Sequence, residues 1–189
     1  MSFRLNEEEK KFLLGLARKT IRNFLDDHIE REKKYFTENL KTESGAFVTL
    51  HKHGELRGCI GYVVGFKPLQ DAIQDLAISA AFNDPRFPPL SKDEFDQIDL
   101  EISVLTPLEK VRSIDEIRIG RDGLMIKRPP FEGLLLPQVA TEYNWDTETF
   151  LEHTCRKAGL PPDAWKDDST EIWRFSAIIF SEKEMGLIK

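Results

Sequence analysis

The stretch that decides the fold runs from Gly45 to Tyr62 and reads GAFVTLHKHGELRGCIGY. Two β-rich runs flank His53-Gly54, and a His-Gly pair between such runs predicts a hairpin. Glycine inside a strand weakens it unless a bulge or a close backbone approach requires it. Here Gly58 and Gly61 bracket Cys59. Residues two apart in a strand share a face, so Arg57 and Cys59 are expected to point the same way. A guanidinium beside a thiol favours the thiolate, which makes Cys59 a candidate nucleophile and Arg57 its electrostatic partner, in a glycine-lined cleft. The competing reading is a small buried hydrophobe in a tight sheet, since free cysteine is among the most buried residue types.

Turn length decides whether a histidine stands beside Cys59. A two-residue turn at His53-Gly54 sets Cys59 opposite Val48 and turns His51 to the other face. A three-residue turn sets it opposite Thr49, with His51 on its own face. The His-Gly pair favours the first register, so a local Cys–His dyad is not expected.

Working outward, Asn6 followed by Glu7, Glu8 and Glu9 marks a helix start, with a capping side chain and acids at the positive end of the dipole. Leu13, Leu16, Ala17, Ile21, Phe24 and Leu25 recur at helical spacing to about His28. Glu30 to Lys34 reads as a solvated face. Pro68 opens a second helix through Leu69, Ile73, Leu76, Ala77 and Ala80, which ends near Asn83-Asp84-Pro85. Prolines stiffen the following loop and hold Asp84 and Arg86. Such a pair either orients a polar substrate and adjusts a neighbouring thiol, or caps backbone groups and forms a structural ion pair. In Ile98 to Leu105, Leu100, Ile102 and Val104 alternate with Asp99, Glu101 and Ser103, a strand with one wet face.

Val111 to Leu136 is strand-like and punctuated by Gly120, Gly123, Pro129, Pro130 and Gly133; a smaller lobe within about 107–145 is expected. Pro137 begins a short helix that leaves Gln138 near free amides, where its own amide either reads a polar ligand or satisfies backbone groups. A helix starts at Asp146 or Thr147, carries Cys155 on its apolar side and His153 away from it, and stops at Gly159 before Pro161-Pro162. Ile172 to Phe180 is a last strand. The reading is α+β: a mixed or antiparallel sheet flanked by helices, in one domain spanning 1–189.

The 189 residues carry 27 Lys plus Arg against 33 Asp plus Glu, a net charge of −6, and are 40% hydrophobic. That composition rules out a disordered tail, a collagen-like repeat and a disulfide-stapled mini-protein. The acidic balance argues against a general phosphate-backbone binder, so no nucleic-acid partner is expected. Cys59 and Cys155 form no CxxC pair, the four histidines make no HExxH, and no metal site is expected. No GxGxxG opens a helix and no Walker sequence occurs, so no organic cofactor is expected. The opening residues lack the apolar core of a signal peptide, and no apolar run approaches the ~18 residues of a membrane helix. A cytoplasmic protein with reduced thiols is the expectation.

GAFVTL…GELRGCIGY, AAFNDPRFPPL, EISVLTPLE, GLLLPQVA and FLEHTCRKAGL together resemble the AMME chromosomal region protein family, the AMMECR domains, from about Gly45 to Phe180. LRGCIG is that family's hallmark. The resemblance implies an α+β fold in two unequal lobes, the larger built from both chain ends, with the Cys59 segment near a cleft. It carries over Arg57, Gly58, Cys59 and Gly61 from the hexapeptide, Asp84 and Arg86 from the DPRF loop, and Gln138 from LLPQVA. Prokaryotic relatives are often encoded beside a Memo-like protein and a radical SAM protein, as component A of the AmmeMemoRadiSam system. Two function classes follow. One is a cytosolic enzyme or enzyme component acting on an unidentified small molecule or protein through Cys59; the other is a binding or adaptor module for a Memo-like or radical SAM partner.

Overall fold

Asn6 accepts the Glu9 amide at 2.8 Å through its side chain, and Glu9 returns a bond to the Asn6 amide at 3.0 Å. This reciprocal cap starts helix α1 (Glu7–Leu25). The computed structural model describes residues 3–28 and 30–188. Helix α1 ends at Leu25, short of His28, because Asp27 takes a left-handed φ of 57°.

Two compact units are formed, one from Met1–Leu105 with Ile178–Lys189 and one from Thr106–Ala177. In the first, β1 (Ala46–Lys52) lies between β2 (Glu55–Tyr62) and β3 (Ile98–Leu105), and both pairings are antiparallel. Ala46, Val48 and Leu50 face the core with Leu100, Ile102 and Val104, beside Leu13, Leu14, Ala17 and Ile21 of α1. Helix α2 (Leu69–Phe82) adds Ile73, Leu76, Ala77 and Ala80 to that cluster. At the C-terminal end, buried Glu182 accepts the Leu100 amide at 2.9 Å and an Arg18 Nη2 bond at 2.6 Å.

Two buried glutamines on α2 tie down the preceding segment. Gln74 accepts the Glu32 amide at 2.9 Å and donates to the Glu32 carbonyl at 3.2 Å. Gln70 accepts the Phe36 amide at 3.0 Å and donates to the Lys34 carbonyl at 2.9 Å. The segment expected as a merely solvated face is therefore anchored through its backbone.

In the second unit, β5 (Asp122–Arg128) pairs antiparallel with β6 (Phe131–Leu135) and with β7 (Glu171–Ser181), while β4 (Glu109–Lys110) pairs with β7. Helix α3 (Pro137–Glu142) follows β6, and α4 (Thr147–Lys157) begins at the Asp146 cap. This unit runs on past residue 145 because Phe150, Leu151 and Cys155 of α4 share one core with Leu124 and Ile126. Burial pushes the Cys155 thiol up. His153 is half-buried and stacks on Trp145 at 3.9 Å between ring centres. The fold is α+β, with antiparallel strands flanked by helices.

Candidate functional site

The hairpin turn is the two-residue kind, with left-handed φ values of 54° at His53 and 85° at Gly54. The register does not continue undisturbed. Lys52 pairs with Glu55 and His51 with Leu56, but Leu50 then pairs with Gly58, so Arg57 is an extra residue bulged out of β2. Cys59 consequently sits opposite Thr49, not Val48. Because Thr49 and His51 alternate with the core residues of β1, Cys59 shares its face with His51 after all. The same face carries Glu101 and Asp99, which pair with Thr49 and His51 across β3.

The bulge also separates the expected catalytic pair. The Arg57 guanidinium binds Glu94 through Nε at 3.1 Å and Nη2 at 2.9 Å, and Lys52 binds the same carboxylate at 3.0 Å. Lys52 lies on the Leu50 face of β1, so this cluster belongs to the core side of the sheet. Arg57 is thus not the side chain that adjoins the thiol, because alternation counted across a bulge inverts.

Cys59 is half-buried and its Sγ accepts a 3.3 Å bond from the Thr49 hydroxyl. Its backbone amide donates to Asp84 Oδ2 at 2.9 Å, and its carbonyl accepts from Arg86 Nη2 at 3.1 Å. Both groups point away from β1, which makes Thr49–Cys59 the non-hydrogen-bonded kind of pair, in which side chains come closest. Asp84 and Arg86 therefore supply, at the outer edge of β2, the acceptor and donor that a neighbouring strand would have offered.

Asp84 is buried and also accepts Arg86 Nε at 3.0 Å, Arg86 Nη2 at 2.7 Å and the Arg86 amide at 3.1 Å. The Arg86 guanidinium, helped by the Cys59 amide and opposed by burial, holds the Asp84 carboxyl well below the usual carboxylate range. The Arg86 guanidinium is raised chiefly by its bond to Asp84, against the effect of burial. Glu101 is shifted the other way: burial raises its carboxyl, with Glu184 and Asp99 adding to the effect and His51 opposing it.

The two glycines serve packing. A Cβ at Gly58 would collide with the Ala80 carbonyl oxygen, so α2 lies directly on the β2 backbone. At Gly61 a Cβ would meet the Phe47 ring and the Ala46 carbonyl. Neither position leaves room for a substrate group. Gln138 is exposed on α3, in the unit that does not contain the hexapeptide. A groove of about 670 Å³ opens beside His51 and Asp99 and is also lined by His53, Arg18 and Lys183. Among the described residues, no three His, Cys, Asp or Glu side chains are grouped to hold a metal ion. Among them, too, no helix is long and apolar enough to cross a membrane. Of the basic residues Lys110, Arg112, Arg118, Arg121, Lys127 and Arg128 in the second unit, Lys110, Arg121, Lys127 and Arg128 each carry a carboxylate partner.

The sequence profile of the AMMECR1 family matches residues 14–180. The chain belongs to the AMMECR1 family. Similar AMMECR1 relatives include a protein of Methanothermobacter thermautotrophicus, 48% identical over 94% of this chain and 96% of its own length. A protein of Methanopyrus kandleri is 46% identical over 97% of this chain and 93% of its own. The crystal structure of an uncharacterized protein from Pyrococcus horikoshii superposes with a TM-score of 0.74 at 43% identity, covering 91% of this chain and 90% of that one. This AMMECR1 chain sets Cys59 opposite Thr49 with His51 on the same face, the arrangement expected only of a three-residue turn, and puts Glu101 one strand further on, opposite Thr49. The signal that would have found this arrangement is Arg57-Gly58 inside a strand, a place where an extra residue reverses the alternation.

Proposed function

We propose that this AMMECR1 protein is an enzyme, or the catalytic component of an assembly, that uses Cys59 as its nucleophile. One observation carries the reading: a half-exposed thiol on a backbone fixed at both its amide and its carbonyl, on a face that also holds an imidazole and a carboxyl group. A fixed nucleophile with proton-handling neighbours is what covalent catalysis requires. The Cys59 sulfur forms a bond to an electrophilic substrate carbon, its proton passes to His51 on the same face, and the leaving group departs with its bonding pair. Water or an acceptor then attacks the same carbon, the S–C bond breaks with its electrons on sulfur, and the thiol regains a proton. A cytoplasmic setting keeps such a thiol reduced.

The test is site-resolved alkylation of the native protein with iodoacetamide, read by mass spectrometry. Cys59 should react at least as fast as in the urea-unfolded chain, while Cys155 stays unmodified until unfolding. If Cys59 is as slow as Cys155 in the native protein, the nucleophile reading is wrong. A second reading, a docking module for a Memo-like or radical SAM protein, is favoured by Val64 and Phe66, exposed just beyond β2. On that reading Phe66→Ser abolishes co-purification with such a partner while Cys59→Ser does not.

A further inference from the structure

We propose that the group presented to Cys59 belongs to an anionic substrate, whose carboxylate or phosphate is received by the Arg86 guanidinium. This rests on the nucleophile reading and adds the substrate class. Arg86 is half exposed, yet it is not free to move: its Nε and Nη2 are engaged by buried Asp84 and by the Cys59 carbonyl. Long surface cations ordinarily lose rotamer freedom when they bind. Here that freedom has already been removed by intramolecular bonds, and Nη1 carries no bond to any described residue. The result is a positioned positive charge on the backbone of the thiol-bearing residue, with donor capacity left over.

A second unfilled donor lies near the same Phe87 ring as Arg86, on the core side of the sheet rather than the Cys59 face. Arg57, about nine-tenths buried, leaves its Nη1 without a hydrogen-bond partner. A buried cationic N–H without an acceptor is costly, and such groups ordinarily have one. The Arg57 and Arg86 guanidinium carbons lie 5.9 Å and 5.5 Å from the centre of the same Phe87 ring. Arg57 and Lys52 share the Glu94 carboxylate and Arg86 holds Asp84, so three cations meet two carboxylates in these two ion-paired groups. The local balance is positive in a chain whose net charge is −6. Glu101, the carboxyl on the Cys59 face, is opposite Thr49 on β3, so β1 lies between it and the thiol strand.

The experiment compares two alkylating agents that deliver similar carbon electrophiles, one anionic and one neutral. Second-order rates of Cys59 modification by iodoacetate and by iodoacetamide are measured on the full chain, native and urea-unfolded, by mass spectrometry. The iodoacetate-to-iodoacetamide ratio is expected to rise by about tenfold on folding and to fall with added sodium chloride. In Arg86→Gln the ratio should return to the unfolded value; circular dichroism confirms that the variant folds. Should it not fold, inhibition of iodoacetamide labelling by acetate or by inorganic phosphate, at matched ionic strength, decides the matter in the wild-type protein. Protection by acetate assigns a carboxylate, and protection by phosphate alone assigns a phosphoryl group. If Cys59 reacts rapidly with iodoacetamide, with no gain in the ratio and no protection by either anion, the anionic-substrate inference is overturned and the nucleophile stands. If Cys59 is inert to both agents, the nucleophile falls and takes the inference with it.

Discussion

A single methyl group at residue 58 would have to occupy the position of the Ala80 carbonyl oxygen, and neither backbone can yield without moving a whole element. Gly58→Ala is therefore expected to lower stability by roughly 1–3 kcal/mol, read as a fall in the urea midpoint at unchanged slope. A wild-type midpoint would mean that α2 and β2 are not in backbone contact. The neighbouring residue explains why the site was only half legible. That Cys59, Asp84 and Arg86 belong together could be read from residue types and from stiff loop chemistry. That Arg57 does not adjoin the thiol, and that His51 shares its face, could not, because alternation presumes an unbroken register. One bulged residue exchanges the two faces for everything beyond it.

At the scale of elements, helices and strands with strong local patterns were legible: the Asn6 cap, the two-sided Ile98–Leu105 strand, and the Asp146 start of α4. Each is specified by residues a few positions apart. The glutamine clamp on α2 was not, because Gln70 and Gln74 bond to backbone more than 30 positions away in sequence. On a helix wheel they are only polar residues among apolar ones. Gln74→Leu would leave the Glu32 amide and carbonyl without their partners, at a cost of roughly 1–3 kcal/mol. Hydrogen exchange should show the consequence locally, as faster exchange at the Glu32 amide with α1 and β1 amides unchanged. Uniform acceleration across the unit would argue that the clamp is not a separate local anchor.

For the whole molecule, the carboxyl shifts set how stability varies with acid. Arg57, followed by Lys52 and against burial, brings Glu94 from 4.5 to about 2. Asp84 is likewise lowered by Arg86. Both groups hold a proton less readily in the folded chain than in the unfolded one, so the unfolded state binds more protons over this range. Their stabilisation is complete above about pH 5 and is lost as pH falls through about 4 towards 2. Glu101, raised by burial, contributes with the opposite sign. The urea midpoint should fall on acidification from about pH 5 to about pH 3, and Glu94→Gln should start lower and fall less steeply. Parallel curves for the two proteins would show that Glu94 is not depressed. The extent of the second unit, to Ala177, escaped sequence reading because α4 joins its core by packing rather than by any boundary signal.

The DPRF loop has a consequence unrelated to chemistry at the thiol. The outer side of β2 is a sheet edge, and a bare edge is a template on which a second chain can add a strand. Asp84 and Arg86 fill that template at Cys59 with side chains of the same molecule, one accepting and one donating. Removing both in Asp84→Ala/Arg86→Ala should yield a chain that folds when dilute but scatters light increasingly as it is concentrated, while Cys59→Ser remains as soluble as the wild type. The loop thereby limits how crowded a solution of this protein can become before its copies begin to polymerise.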